Sequence, residues 1–163
     1  MSKTVKVKLE ENGQMPVKAH KSDAGFDLFA THDFSIHPGQ IVKHPINVRL
    51  QLPESTYAEI TSKSGNGSKG LLVYAGIIDE GYRGIIHVVM TNLNHTPHTT
   101  WVDGFQRNIL LAGETLNFKK GQKIAQMILH PYSSNYDLEL VDQLDENTSR
   151  GAGGFGSSGS SLV

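Results

Sequence analysis

Short runs of strictly alternating apolar and polar residues recur along this chain, and glycine or proline turns separate them. Residues 5–9 and 46–52 show the pattern most clearly. Successive side chains of a strand point to opposite faces, so such runs predict half-buried β-strands. Further strand candidates are residues 57–61, 85–91, 109–111 and 124–130. Many short strands with frequent turns predict an all-β fold of the sandwich, jelly-roll or barrel type.

Composition narrows the class of protein. The 163 residues are 37% hydrophobic and 19% charged, which is typical of one folded domain. The net charge of -1 gives no overall attraction to nucleic acid or to an anionic membrane. The absence of cysteine excludes disulfides and cysteine nucleophiles. No run resembles a signal peptide or a membrane span, so we expect a cytoplasmic protein.

Residues 76–84 read Gly-Ile-Ile-Asp-Glu-Gly-Tyr-Arg-Gly. Two β-branched residues precede Asp79, and Gly81 interrupts the run before Tyr82, so the segment predicts a hairpin with an acid and an aromatic near its tip. Acids and glycines are also common in ordinary turns. By itself the segment is therefore open to a purely structural interpretation.

The tail is rich in glycine and serine and contains Arg150 and Phe155. Residues 151–156 fit the pattern GxGxxG, but no strand precedes it and no helix follows, which argues against a dinucleotide fold. A solvated tail is the common meaning of such composition. Glycine-rich backbone can also wrap phosphates, an arginine can pair with them, and an aromatic side chain can stack on a base.

Taken in order, five segments resemble the motifs of the dUTPase family. They are residues 24–28 (Ala-Gly-Phe-Asp-Leu), 62–65 (Ser-Lys-Ser-Gly), 76–84, 121–126 (Gly-Gln-Lys-Ile-Ala-Gln) and 150–159 (Arg-Gly-Ala-Gly-Gly-Phe-Gly-Ser-Ser-Gly). The resemblance implies a jelly-roll-like β-clip or barrel with a flexible C-terminal arm. It also implies hydrolysis of dUTP to dUMP and pyrophosphate, which limits uracil incorporation into DNA and supplies dUMP for thymidylate synthesis.

The same resemblance assigns roles to individual residues. Asp79 is implied as the base that activates the attacking water, and Tyr82 as the residue that leaves no room for a 2′-hydroxyl. Asp27 is implied as a supporting acid near the phosphates. The implied substrate-binding residues are Lys63, Ser64, Gly65, Gly76, Ile78, Tyr82, Gln126, Arg150, Phe155, Gly156, Ser157 and Ser158.

Magnesium is the cofactor that the resemblance implies. We expect it to arrive with the triphosphate and to bind through phosphate oxygens and water, without direct protein ligands. The eight histidines show no pair with an acid at a zinc-site spacing.

The chain departs from the family pattern at two motifs. Lys63 stands where arginine is usual, and Asn66 where a hydrophobic residue is usual; Gln122 and Lys123 replace the usual Asp-Arg pair. Lysine keeps the charge but loses the planar fork that binds phosphate bidentately. The effect of Lys63 on affinity and turnover is left open by the sequence.

Residues 94–117 interrupt the rhythm of strands and suggest an insertion in a β domain of residues 1–144, followed by the arm at 145–163. The resemblance implies a homotrimer with shared active sites and no direct contact with nucleic acid or membrane. Because some phage members carry an insertion here and bind repressors, a regulatory role through 94–117 is one alternative. A dCTP deaminase-like enzyme is another, since that family shares the β fold.

Overall fold

A computed structural model of the chain describes residues 3–94, 96–102, 105–111, 113–145 and 147–149, with side chains described outside residues 95–112. The chain divides into two compact units, Met1–Ser133 and Ser134–Val163. In the described residues of the second unit the backbone forms neither helix nor strand. The sequence interpretation placed the start of the arm later, at 145, and that boundary stays a prediction.

The first unit is built from strands, and the described residues contain one helical turn, α1 (Ser64–Gly67). The strands are β1 (Lys6–Leu9), β2 (Gly25–Phe29), β3 (Phe34–Ile36), β4 (Ile41–Pro45), β5 (Val48–Gln51), β6 (Thr56–Thr61), β7 (Leu71–Tyr74), β8 (Ile77–Ile78), β9 (His87–Asn92), β10 (Thr96–Val102), β11 (Phe105–Leu111), β12 (Leu116–Phe118) and β13 (Lys123–Pro131). The expected all-β fold is confirmed. The turn α1 ends at Gly67, and Gly70 with φ +81° lies in the turn that follows.

A four-stranded sheet in the order β2-β13-β6-β8 carries most of the predicted site. All three pairings are antiparallel, with Gln126 opposite both Asp27 on β2 and Thr61 on β6. Ile78 on β8 lies opposite Ala58 on β6. A second sheet has the order β4-β9-β7, and the pairs β1-β5, β12-β3 and β10-β11 complete the described strands.

The core forms where the alternation is strict. Every second residue of β6 is buried, and β9 shows the same pattern in the opposite phase. Side chains such as Ile36, Val88 and Ile124 are fully buried in one hydrophobic cluster. Burying one such side chain contributes about 1.5–3 kcal/mol, so the sheet that carries the site is held mainly by this cluster.

Residues 94–117 are more regular than the sequence analysis expected. Within them, β10 and β11 form an antiparallel hairpin with seven paired positions. The expectation that this stretch interrupts the rhythm of strands is therefore wrong. Leu116 and Asn117 belong to β12, which pairs with β3, and the Leu116 side chain joins the core. The boundaries of an insertion at 94–117 stay a prediction.

Candidate active site

The segment 76–84 leaves the edge of the four-stranded sheet. The Ile60 N–H donates a hydrogen bond to the Gly76 carbonyl at 2.7 Å, and a Cβ at position 76 would lie 1.9 Å from the Ile60 carbonyl oxygen. Only glycine permits this approach of the two backbones. The requirement for Gly76 is therefore steric, and it fixes the base of the segment against β6.

Asp79, Tyr82 and Ile78 line one cleft of about 210 Å³, together with residues of β4 and β9 such as Lys43 and His87. The Tyr82 N–H donates to the Asp79 carbonyl at 3.0 Å, which closes the turn between them. The Tyr82 hydroxyl donates to the Ile85 carbonyl at 2.9 Å. The acid and the aromatic ring that the sequence singled out thus share one cleft, with Asp79 exposed to it.

The Tyr82 ring occupies space that the absence of a side chain at Gly84 leaves free. A Cβ at Gly84 would lie 2.3 Å from the Tyr82 hydroxyl oxygen, so the ring crosses the backbone where a side chain is missing. Tyr82 is 43% exposed, which leaves part of the ring available for a ligand. This geometry suits an aromatic surface that packs against a sugar.

A second group of predicted residues surrounds Asp27, which is 5% exposed on β2. One carboxylate oxygen pairs with the Lys63 ammonium group, and the other lies 2.6 Å from the Lys123 nitrogen. Burial by itself raises the pKa of Asp27, but the hydrogen bonds from Lys123 and Lys63 outweigh it and leave this pKa below its ordinary value. Asp27 is therefore a carboxylate that holds two cations beside the sheet.

Gln126 lies in the same group. Its side-chain amide donates to the Ser62 carbonyl at 2.9 Å, and it crosses Gly25, where a Cβ would lie 2.6 Å from its oxygen. Ser64 and Gly65 follow at the start of α1; both are exposed, and the space beside Gly65 is open. Cationic groups and an open backbone turn are suited to binding phosphate oxygens.

Within one chain, the cleft of Asp79 and Tyr82 lies apart from the residues around Asp27. Ile78 lies opposite Ala58 and Gln126 lies opposite Thr61, positions that are about 10 Å apart along β6. After Ile78 the chain runs away from Thr61. Glu80, two residues further along, contacts Ser55, which precedes β6. Asp79 and the cluster around Asp27 consequently lie toward opposite ends of this strand.

Five predicted binding residues lie outside the described part of the chain: Arg150, Phe155, Gly156, Ser157 and Ser158. Their roles stay predictions.

Lys123 was missed as a site residue. In the sequence Lys123 stands out only as a departure from the family pattern, although its ammonium nitrogen lies 2.6 Å from an Asp27 carboxylate oxygen. A signal was available, because Lys123 lies three residues before Gln126 in the same motif. Pairing across β2 and β13 then brings that motif beside Asp27.

The residues near Asp27 indicate how the implied magnesium ion would be bound. Among the described residues, no group of three or more histidine, aspartate and glutamate side chains could hold a metal ion. Both Asp27 oxygens already contact ammonium groups. These residues fit a hydrated ion bound by phosphate oxygens, with Asp27 as an acceptor for its water, better than an ion bound by the protein alone.

Comparison with known proteins places the chain in a family. The dUTPase family model matches residues 11–100 and 99–159. The chain belongs to the dUTPase family. The deoxyuridine 5′-triphosphate nucleotidohydrolase of Clostridium tetani is 37% identical over 160 residues, covering 96% of this chain and 97% of the relative. The mouse protein of the same name is 34% identical, covering 94% of this chain and 83% of that protein.

Solved dUTPase structures agree with the fold. A mutant dUTPase of Staphylococcus bacteriophage 80alpha with dUpNHpp superposes with a TM-score of 0.80 at 30% identity, covering 97% of this chain and 99% of that one. A mutant dUTPase of phage phi11 of S. aureus, with a coordinated structural Mg(II) ion, gives a TM-score of 0.69 at 29% identity over 86% of this chain and 97% of that one. The expected jelly-roll-like dUTPase fold is confirmed.

The described residues contain no helix with the length and apolar character needed to cross a lipid bilayer.

Proposed function

We propose that this dUTPase hydrolyses dUTP to dUMP and pyrophosphate with Asp79 as the general base. The observation that carries the proposal is the shared cleft of Asp79 and Tyr82, in which an exposed carboxylate lies beside a fixed aromatic ring. The family and its named relatives support dUTP as the substrate. The reaction limits uracil incorporation into DNA and supplies dUMP.

In the proposed reaction, Asp79 accepts a proton from a water molecule as the water oxygen bonds to the α-phosphorus. The bond from that phosphorus to the bridging oxygen breaks, and pyrophosphate leaves. A positioned base contributes about 10²–10⁴ in rate. Gly76 and Ile78 present backbone groups to uracil, and Tyr82 packs against the deoxyribose so that a 2′-hydroxyl does not fit.

The Asp27 cluster binds the phosphates. Lys63 and Lys123 supply positive charge, and Ser64, Gly65 and Gln126 supply hydrogen bonds at the same end of the sheet. From the arm, Arg150 pairs with the phosphates, Phe155 stacks on uracil, and Gly156, Ser157 and Ser158 contribute backbone and hydroxyl donors. Charge stabilisation of this kind is the main contribution of protein groups to phosphoryl transfer.

Magnesium is proposed as the cofactor. Asp27 and Gln126 would hold it indirectly through its water shell, and the bound ion would neutralise charge on the phosphate oxygens. A coordinated Mg(II) ion in the phage phi11 relative supports the choice of metal. A cytoplasmic location, where we expect the nucleotide pool, also stays a prediction.

A homotrimer with shared sites completes the proposal. Asp79 and the Asp27 cluster lie toward opposite ends of β6 in one chain, and this separation supports a site that combines the Asp79 of one copy with the Asp27 cluster of another. A second copy that brings its own Asp27 cluster to this Asp79 would close the site. The separation along β6 is what supports sharing; the number of three subunits rests on the family resemblance.

A nucleotide panel tests the activity. Pyrophosphate release is measured from dUTP, dCTP, dTTP and UTP, with and without a magnesium chelator, for the wild-type chain and for Asp79→Asn. We expect rapid release from dUTP alone, loss with the chelator, and retained dUTP binding without turnover in Asp79→Asn. Ammonia release from dCTP would instead favour the deaminase-like alternative. Normal turnover by the Asp79→Asn variant would exclude Asp79 as the base.

Subunit mixing tests the shared site. Asp79→Asn chains and Lys63→Met chains are each expected to be strongly impaired. Random mixed oligomers would regain about a quarter of the wild-type sites, because some sites combine an intact Asp79 with an intact Lys63 from another chain. If each site lies within one chain, the mixture shows no gain over the separate variants.

A protein partner for residues 94–117 remains a second proposal. It rests on the resemblance to phage members, and the β10–β11 hairpin is the element through which a partner would bind. Pull-down with and without residues 96–111 tests this role. Deletion should abolish capture of a partner while dUTP turnover continues; a pure enzyme captures no partner in either form.

A further inference from the structure

Glu80, the residue after Asp79, makes two contacts that the proposed reaction does not use. Its carboxylate oxygen Oε2 accepts a hydrogen bond from the Ser55 backbone N–H at 2.8 Å. The same oxygen accepts one from the Tyr132 hydroxyl at 2.9 Å. The Tyr132 N–H in turn donates to the Ser55 carbonyl at 3.1 Å, so the three residues form a closed set of hydrogen bonds.

The tip of the hairpin has little strand pairing of its own, although the Arg49 guanidinium on β5 donates to the Arg83 carbonyl at 3.3 Å. Its strand β8 consists of only Ile77 and Ile78, so pairing with β6 ends before Asp79. Within the tip, the Arg83 guanidinium donates to the carbonyl oxygens of Glu80 and Tyr82 at 2.6 and 2.9 Å. These bonds give the tip its shape, but they do not fix it relative to the sheet.

Ser55 is held in a conformation that suits this contact. Its φ is +56°, in the left-handed region that residues other than glycine adopt infrequently. The turn presents the N–H of Ser55 to Glu80 and its carbonyl to Tyr132. Backbone strain of this kind is maintained only where the surrounding contacts fix it.

Tyr132 is suited to donate. Its hydrogen bond to the Glu80 carboxylate is the main cause that raises its pKa above the ordinary value, in keeping with a hydroxyl that donates to a carboxylate. The residue immediately follows β13, and its ring meets the Tyr57 ring edge-on with centroids 6.4 Å apart. The donor is thus fixed to two strands of the sheet.

We propose that Glu80, Tyr132 and Ser55 form an anchor that positions Asp79 against the sheet, with Glu80 and Tyr132 as positioning residues. The anchor links the tip to the start of β6 and the end of β13. Without it, the Asp79 carboxylate still binds water but spends less time in the geometry for attack, and misplacement of a catalytic group lowers turnover. This inference rests on the proposed role of Asp79.

The test compares Glu80→Ala, which removes the accepting oxygens, Tyr132→Phe and the double variant with the wild-type chain. Tyr132 is 39% exposed, so phenylalanine removes the hydroxyl without opening a core cavity. Matched controls are Glu11→Ala and Tyr136→Phe, both at exposed positions that make none of the anchor's hydrogen bonds. Each variant is assayed for kcat and KM with dUTP, and amide hydrogen exchange is measured over residues 79–84.

We expect kcat to fall about ten-fold in each single variant, as for loss of a hydrogen bond to a charged group, with KM within about two-fold of wild type. Because both residues act through one contact, the double variant should fall no further than the stronger single variant. Exchange at the tip should rise in all three variants, and the controls should match wild type in every measurement.

The possible results distinguish failure of the anchor from failure of the proposed role of Asp79. Unchanged kcat and unchanged exchange in both single variants overturn the anchor, even if Asp79→Asn is inactive. Multiplying losses in the double variant also contradict it, because they show independent roles. If Asp79→Asn turns over dUTP normally, the proposed base is wrong, and the hydrogen-exchange comparison alone then decides whether Glu80 and Tyr132 hold the tip.

Discussion

The carboxylate of Asp27 lies 2.6 Å from the Lys123 ammonium nitrogen, although 96 positions separate the two residues in the sequence (123 − 27). The other carboxylate oxygen pairs with Lys63. Both lysines stand where the family pattern usually has arginine. Two compact ammonium groups therefore contact one buried carboxylate in this chain.

Replacement of Asp27 by asparagine should destabilise the chain by about 1–3 kcal/mol, because two ammonium groups lose their shared counter-charge. Urea unfolding of Asp27→Asn measures the loss. The control is Asp33→Asn, which removes an exposed pair with Lys119 and should cost less. Equal losses in the free energy of unfolding for the two substitutions would show that the burial of Asp27 adds nothing to the contribution of its ion pairs.

Substitution of Gly76 by alanine should impair the site through sterics. The new Cβ would lie 1.9 Å from the Ile60 carbonyl oxygen, so the hairpin must move away from β6. We expect a large rise in KM for dUTP and a loss of thermal stability. Gly81→Ala is the matched control in the same segment, because a Cβ added there would meet no atom within 4 Å. Similar kinetics for the two variants would exclude the close approach as the cause.

Tyr82→Ala should relax discrimination against ribose. The ring is fixed by its hydroxyl contact to Ile85 and by the missing side chain at Gly84. Removing it opens space beside the sugar, so the ratio of kcat/KM for dUTP over UTP should fall by about ten-fold or more. Tyr82→Phe keeps the ring and should retain most of the discrimination. An unchanged ratio in Tyr82→Ala would place the specificity elsewhere.

His44 predicts a pH dependence of stability. It is 1% exposed, its Nε2 accepts the Thr31 N–H at 3.1 Å, and burial, with smaller effects of His32 and His87, lowers its pKa to about 4. Between pH 6.5 and 4 the unfolded chain binds a proton at this residue and the folded chain does not. Stability should therefore be full above about pH 6.5 and fall by about 3 kcal/mol as the pH drops to 4.

Urea unfolding at pH values from 4 to 7 measures this slope. His44→Gln keeps an acceptor near Thr31 but does not titrate, so its slope over this range should flatten. His37→Gln, at an exposed position, should keep the wild-type slope. A wild-type slope in His44→Gln would assign the effect to other groups.

The sequence predicted the strands whose two faces differ. β6 and β9 alternate strictly between buried and half-buried positions, and both were found. β4 and β7 were not among the candidates, because apolar Ile41 and Leu72 occupy outward positions and obscure the alternation. Period-two reasoning needs a consistently polar outer face, and the apolar Ile41 and Leu72 break that pattern.

The site was predicted as a set of residues but not as an arrangement. The resemblance brought Asp27, Lys63 and Gln126 together, and the pairing of β2, β13 and β6 places them side by side. The partnership of Asp27 with Lys123 and of Glu80 with Tyr132 depends on register between distant strands. Local sequence patterns do not encode that register, so these contacts became visible only in the fold.

Strand β6 has six residues; Ser55, which contacts Glu80, precedes it, and Lys63 lies two residues after its end. The length of β6 sets the distance between these two ends. Deleting one residue would turn the following side chains to the opposite face, and deleting two would shift the Lys63 end by about 7 Å relative to the Ser55 end. Substitutions along β6 are therefore tolerated wherever the core accepts them, whereas a change in its length would displace the Lys63 end relative to the Ser55 end.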